Sequence, residues 1–319
     1  MPEMKAIGSE SLKTDALLQN PENPRLIFRP DELEDLLLSI KENGILMPLT
    51  VYPEDDGTYR ILDGERRWRC AKKLNVQEVP AYIVEKPSRL NNLLMMFNIH
   101  GVRQGWDYLP TALSLKKVME ITGKSGEKEL AGLTGLQRGV IRRCKRILSI
   151  PEKYQRALLE ELKKPRIYQE LSEDLFLEVM DAIASIQSKQ PDLLKDFKEE
   201  RIIDAFVKKK IEGVVKSVTE FRKVGKIAAS TQYGVPETKV RAALRSIALK
   251  PSVSIEEVYQ DIAGHSYKVA DLTKKANRLA DQLENITLKN VPKSESKKLI
   301  ESLRSLVEKA REVLSKLTR

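Results

Sequence analysis

Two hydrophobic periods alternate along this chain. Between residues 15 and 88 they are mixed. "ELEDLLLSIKENG" (Glu32–Gly44) carries its leucines and isoleucine at helical spacing, follows Pro30 and Asp31, and has an acidic first turn. Asp31 is expected to cap this helix and Gly44 to end it. "ILMPLTVYPEDDGTYRIL" then sets two short β-rich runs on either side of Asp56-Gly57, the pattern of a hairpin. A helix opening at Gly64 and a strand in "VQEVPAYIVE" complete the order helix, hairpin, helix, strand. From Arg89 onward almost every segment has the helical period, divided by short breaks such as "TGKSG", "SIPEK", "SKQPD" and "YGVPE". The pattern predicts a mainly α protein with an α+β N-terminal domain over 1–100, an all-α central domain over 101–195 and a helical C-terminal domain over 196–319.

The end of the chain has a third pattern. Leu272, Ala276, Leu279, Leu283 and Ile286 follow a four-three spacing, as do Leu299, Leu303, Leu306, Ala310, Val313 and Leu317. Pro292 between the runs breaks any continuous helix. A helical hairpin is expected. Its apolar seam serves either packing within the chain or a dimer, because two helices alone bury little surface.

Composition narrows the function. The 319 residues are 41% hydrophobic and only 5% aromatic, with a net charge of +10. A basic balance points to a polyanionic partner, most often nucleic acid. No apolar run nears a membrane span and the N-terminus lacks a signal peptide's pattern, so the expected place is the cytoplasm. Cys70 and Cys144 are far apart, and His100 and His265 are the two histidines. That inventory argues against a disulfide framework, a zinc site or a Ser-His-Asp triad.

Placement of the charge matters more. "KELAGLTGLQRGVIRRCKRIL" (Lys128–Leu148) has helix-turn-helix spacing: small Ala131, Gly135 four residues on for a left-handed turn, then apolar Leu136, Ile141 and Cys144. Thr134 stands where an apolar residue is more usual. The second helix would expose Gln137, Arg138, Arg142, Arg143, Lys145 and Arg146. Gln137 and Arg138 are placed to read base edges, and the later arginines to hold phosphates. A merely solvated basic helix is the plainer alternative.

"LDGERRWRCAKKL" (Leu62–Leu74) brings a strand to a glycine and a helix start carrying Arg66 and Arg67. Free N–H groups at a helix start favour an anion, and guanidinium forks suit phosphate oxygens. Two solvated surface arginines are the alternative. Trp68 beside them would serve either as a stacking surface for a base or as core.

In this order "NPENPRLIF", "LEDLLLSIKENGILMPLTV", "GERRWRCAKKL" and "VPAYIV", followed by the helix-turn-helix and "ILSIPEKYQRALLE", closely resemble the ParB family over roughly residues 15–160. The resemblance implies a ParB-like nucleotide-binding N-terminal domain in which Gly64, Glu65, Arg66 and Arg67 hold the phosphates of CTP. It adds Arg25 and Gly44 to the same pocket. Asn98 falls on the family's second phosphate motif, where it would help hold Mg²⁺. Phe97 replaces the acid of that motif and Arg103 is a shifted substitute for its arginine. Phe97 cannot ligate a metal or orient water, so at most weak CTP hydrolysis is expected. The resemblance further implies a homodimer that binds a palindromic double-stranded DNA site, closes into a CTP-responsive sliding clamp and associates with the nucleoid. The clamp would serve segregation of a chromosome, plasmid or mobile element. A ParA-type ATPase partner would contact the N-terminal arm, "MPEMKAIGSESLKTD". Two other classes remain open: a nucleotide-independent helix-turn-helix regulator and a ParB-like nuclease, for which Glu54, Asp55 and Asp56 are the clustered carboxylates. Sulfiredoxin chemistry would need a cysteine where Glu65 stands.

Overall fold

The computed structural model describes residues 5–100, 107–195, 198–285 and 293–317. Its contacts group into two units, Met1–Ala263 and Gly264–Arg319. The first opens with β1 (Ala6–Lys13), β2 (Leu17–Leu18), α1 (Pro30–Asn43), β3 (Leu49–Pro53), β4 (Tyr59–Asp63), α2 (Glu65–Lys73) and β5 (Glu78–Val84). The sheet order is β1-β5-β3-β4-β2. β3 and β4 form the antiparallel hairpin, and β3 runs parallel to β5.

Strand alternation divides the side chains between two faces. Leu49, Val51, Ile61, Val79 and Ala81 meet Trp68 and Ala71 of α2. Tyr52, Leu62 and Val84 meet Met95 and Met96 of the next helix. A third cluster joins Leu33 and Ile40 of α1 to Cys70. Trp68 is core, with its Nε1 donating to the Thr14 carbonyl at 3.0 Å.

Two readings of this region need correction. β1 was not predicted; it pairs antiparallel with β5 from Ala6 to Lys13, so most of the supposed arm is an edge strand. Asp31 is not the cap of α1. Arg29 is the N-cap and Pro30 the first helical residue, a place where a fixed φ and a missing N–H cost nothing.

The helical part follows as α3 (Arg89–His100), α4 (Tyr108–Thr122), α5 (Glu127–Thr134), α6 (Arg138–Leu148), α7 (Glu152–Leu162), α8 (Glu173–Lys189), α9 (Pro191–Lys195), α10 (Glu199–Ile211), α11 (Arg222–Ala228), α12 (Glu237–Leu249) and α13 (Ile255–Tyr259). α8 is the central post: Leu175, Phe176, Val179, Ala182, Ile183 and Ile186 are all buried. The basic stretch "VKKKIEGVVKSVTEFRK" (Val207–Lys223) is divided between elements. α10 ends at Ile211 and a capping box at Ser217 and Glu220 starts a new turn. Lys209 is fully buried, and its ammonium donates to the carbonyls of Lys250, Pro251 and Val253 at 2.5, 3.1 and 2.8 Å.

The second unit comprises α14 (His265–Glu284) and α15 (Lys293–Leu317). Leu272, Leu283, Leu306 and Val313 of the heptad runs are exposed. Ile286 and Pro292 lie outside the described residues.

Candidate functional site

Gly64 ends β4 in the left-handed region, at φ 98°. A Cβ there would lie 2.8 Å from Leu49 Cγ and 3.0 Å from Arg67 Nη2. The glycine therefore lets the strand turn into α2 against the core. Glu65 points inward. It accepts from Asn23 Nδ2 at 2.6 Å and from Arg69 Nη2 at 2.7 Å, tying the loop before α1 to α2. Asn20 and Asn92 bond each other, and Glu22 accepts from Arg89 and Lys117 at 2.8 and 2.7 Å, which fixes the same loop to α3 and α4.

The structure draws Arg25 and Arg66 together. Burial pushes the Arg25 pKa down and the neighbouring Arg66 charge adds to that, partly offset by Glu32. Arg25 Nη2 donates to Glu32 Oε2 at 2.8 Å. Arg66 donates through Nη2 to the Glu32 carbonyl, and its buried Nε has no hydrogen-bond partner. Arg67 turns the other way, to Asp63 Oδ2 at 2.9 Å and to the carbonyls of Met47 and Pro48. It braces the loop that follows Gly44, which caps α1 with φ 68° and donates to the Ile40 carbonyl.

Asn98 has different company. Its Nδ2 donates to the Leu94 carbonyl at 2.8 Å, and a Cβ on Gly135 would lie 3.0 Å from its Oδ1. Asn98 thus abuts the turn between α5 and α6. Phe97 is wholly buried in the core, and Arg103 lies outside the described residues. Among the described residues no three His, Cys, Asp or Glu side chains gather as a metal site. The donors around Arg25 and Arg66 are guanidiniums, which fit an anion and do not fit a protein-held Mg²⁺.

Residues missed in the sequence complete the arrangement. Arg29, 2% exposed, donates through Nε to the Leu162 carbonyl at 2.9 Å, through Nη1 to Glu32 Oε1 at 2.7 Å and through Nη2 to Asp107 Oδ2 at 2.7 Å. One buried guanidinium thus joins the start of α1 to α4 and α7. Burial works to raise the Glu32 carboxyl, but Arg29, Arg25 and Arg166 outweigh it and hold the group below its ordinary range. An arginine directly before a proline-led helix was the one local signal, and it does not announce burial.

The helix-turn-helix forms as spaced. Gly135 has φ 73° and donates to the Ala131 carbonyl at 2.9 Å. Leu136, Ile141 and Cys144 are buried. Thr134 is buried too, and its hydroxyl bonds the Leu130 carbonyl at 2.7 Å while accepting from Leu136 N. The hydroxyl thereby satisfies the turn's own backbone. Burial pushes the Cys144 thiol up to about 12, which leaves it inert.

Gln137 is the exposed N-cap of α6 and Arg138 its exposed first residue. Arg142, Lys145 and Arg146 are also exposed; their partners are Glu127, the Ser125 carbonyl and Asp181. Arg143 is half-buried over the Tyr108 ring, 4.3 Å from its centroid, and bonds Asp174 at 2.8 Å. Five of the six candidates thus reach solvent, while Arg143 braces α6 against α4 and α8.

Residues 2–98 match the family model described as the ParB N-terminal domain. This chain carries a ParB N-terminal domain. The chain is 36% identical over 157 residues to the chromosome-partitioning protein ParB of Caulobacter vibrioides (strain NA1000 / CB15N), a match covering 48% of this chain and 50% of that protein. It is 27% identical over 237 residues to a nucleoid occlusion protein of Bacillus cytotoxicus, covering 73% and 76%. A C-terminally truncated ParB from Caulobacter crescentus, solved with CTP-gamma-S, is 34% identical over 48% of this chain and 85% of that one, with a TM-score of 0.29. The chain spans about half the length of the Caulobacter vibrioides partition protein. The mainly α architecture with an α+β N-terminal domain is the one the hydrophobic pattern predicted. No described helix is long and apolar enough to cross a membrane.

Proposed function

We propose that this chain is a CTP-binding, DNA-binding partition protein, working as a homodimeric clamp that loads at a palindromic site. The observation that carries the nucleotide half is the pairing of Arg25 with Arg66 beside a glycine-led helix start, with the buried Arg66 Nε left unpartnered. Buried donors without acceptors are rare, and a phosphate oxygen supplies one. The relatives named as partition proteins, and the CTP-gamma-S complex of one of them, favour CTP over other triphosphates. The DNA half rests on the solvent-facing Gln137, Arg138, Arg142, Lys145 and Arg146 of α6. The dimer rests on the exposed heptad leucines of α14 and α15.

The mechanism follows from the placement of the groups. Arg25 and Arg66 neutralise the phosphates, and Glu65 holds the loop carrying Arg25 against α2. Arg29 and Glu22 connect that loop and α1 to α4 and α7, and α4 packs against α6, so a change at the phosphates is passed to the helix-turn-helix through α4. Closure requires only that nucleotide bind one arrangement more tightly than the other. Phe97 in the core supplies no group for hydrolysis, so we infer binding with little turnover, reopening following nucleotide loss. A ParA-type ATPase would meet an edge strand, β1, rather than a free arm.

Calorimetric titration with CTP, ATP, GTP and UTP, with and without Mg²⁺, tests the reading. CTP-selective binding that is lost in Arg66→Ala supports it. No binding by the wild-type chain, with or without DNA, would leave a nucleotide-independent helix-turn-helix regulator.

A further inference from the structure

Four arginines converge on one residue. Glu32 sits in the first turn of α1, and its carboxylate is bonded by Arg25 Nη2 at 2.8 Å and Arg29 Nη1 at 2.7 Å, with Arg166 Nη2 at 3.9 Å. Its carbonyl accepts from Arg66. The arginines come from four segments: the loop before α1, the α1 cap, α2 and the α7–α8 connection. Asp107 is the other carboxylate in the group, and it bonds Arg29. Four positive charges thus face two negative ones.

We propose that Glu32 is an internal competitor for the phosphate site: its carboxylate occupies Arg25 where a triphosphate oxygen would, and nucleotide must displace it to bind. The proposal rests on the nucleotide reading above and adds the residue that sets its affinity. The chemistry of the two anions is the same to a guanidinium. A carboxylate accepts two N–H bonds in a plane, as a phosphate edge does. Because Glu32 is half-buried, its charge is poorly screened and would repel an arriving phosphate at short range. The edge of Arg25 formed by Nε and Nη2 is taken, Nη2 by Glu32 and Nε by the Ile27 carbonyl at 3.3 Å, so a phosphate that grips this edge with two bonds must displace Glu32. The competitor also limits what binds. A monovalent anion gains one bond by displacing Glu32, whereas a triphosphate engages Arg25 and Arg66 together. Glu32 thereby acts as a threshold that favours polyphosphates over chloride and inorganic phosphate, both of which abound wherever nucleotides do.

The test is calorimetric titration of the full chain with CTP plus Mg²⁺ and, separately, with inorganic triphosphate. The proteins are wild type, Glu32→Gln, Glu32→Asp and Arg66→Ala. The expected result is binding tightened by about five- to fiftyfold in Glu32→Gln, the size of removing one like charge in a half-buried site. The gain should be similar for CTP and inorganic triphosphate, because the competition concerns phosphate and not base. A residue that merely supported the fold would lower affinity when replaced, so the direction decides. Wild type and Glu32→Gln binding CTP equally, or the variant binding more weakly, overturns the proposal and leaves the nucleotide reading standing. Triphosphate binding by Glu32→Gln with no CTP binding by wild type overturns the CTP reading and supports the competitor. Absence of binding throughout overturns both. If thermal melts show Glu32→Gln unfolded, Glu32→Asp, which withdraws the charge by one methylene, gives the same comparison.

Discussion

Gly64→Ala is the sharpest test of how β4 hands over to α2. The backbone there has φ 98°, in the region that L side chains disfavour by about 1–2 kcal/mol. The new methyl would also sit 2.8 Å from Leu49 Cγ, and Leu49 is a fully buried core residue. Forcing one carbon into a packed core costs about 1–3 kcal/mol. The two terms together predict a loss of about 2–5 kcal/mol, a large part of a typical domain's stability. Gly132→Ala is the matched control. Gly132 lies inside α5 with nothing within 4 Å of its would-be Cβ, so alanine should stabilise by about 0.5–1 kcal/mol. Urea unfolding followed by circular dichroism should move the midpoint down for the first variant and slightly up for the second. A Gly64→Ala midpoint equal to wild type would refute the claim that close approach and backbone geometry together require glycine there.

Three further outcomes are expected. Burial pushes the Glu173 carboxyl up to about 7, while its bond from Leu109 N and the nearby Asp107 act in opposite senses. Between pH 4.5 and 7 the folded state therefore holds more protons than the unfolded one, and stability falls as pH rises through 7. Glu173→Gln, which keeps an acceptor for Leu109 N, should raise the Tm relative to wild type at pH 8 by the equivalent of about 1–3 kcal/mol, with little difference at pH 5; an equal effect at both pH values would contradict this. Arg29→Met should destabilise the first unit by about 3–5 kcal/mol, read by chemical denaturation, because it strands Asp107 and the Leu162 carbonyl. On DNA, Arg142→Ala should lower the slope of log affinity against log salt by about 1, whereas Arg143→Ala should lower the melting temperature and leave that slope unchanged. A reversed pattern would mean that Arg143, not Arg142, faces the phosphates.

Helical periods and turn glycines make α1, the β3–β4 hairpin, α2 and the helix-turn-helix legible in the sequence. β1 escaped because it is an edge strand: seven of its eight residues are exposed, so no alternation of apolar and polar positions marks it. The same reasoning explains the site. Gly64 and Arg66 announced themselves through local spacing, and Arg25 through the family resemblance. Arg29 and Asp107 did not, since the burial of each depends on residues far along the chain. Glu32 was hidden for a different reason. An acid in the first turn of a helix is fully explained by the helix dipole, and nothing nearby signals the arginines that gather on it. Arg143 shows the converse: helical spacing put it with the exposed basic residues, but Tyr108 and Asp174, both outside α6, draw it inward.

The Arg29 joint has a consequence for how the chain acquires its shape. Its bond to the Leu162 carbonyl closes a separation of 133 residues. During synthesis at about 5–20 residues per second, Arg29 emerges roughly 7–27 s before that partner exists. Until then the sheet domain carries a cation whose final surroundings are incomplete, and an unpaired charge resists burial. The sheet can assemble early, but the start of α1 is expected to settle only after α7 has formed. The first domain to be made is therefore among the last to be finished, and a chain cut short before Leu162 should hold its sheet while leaving the α1 entrance loose.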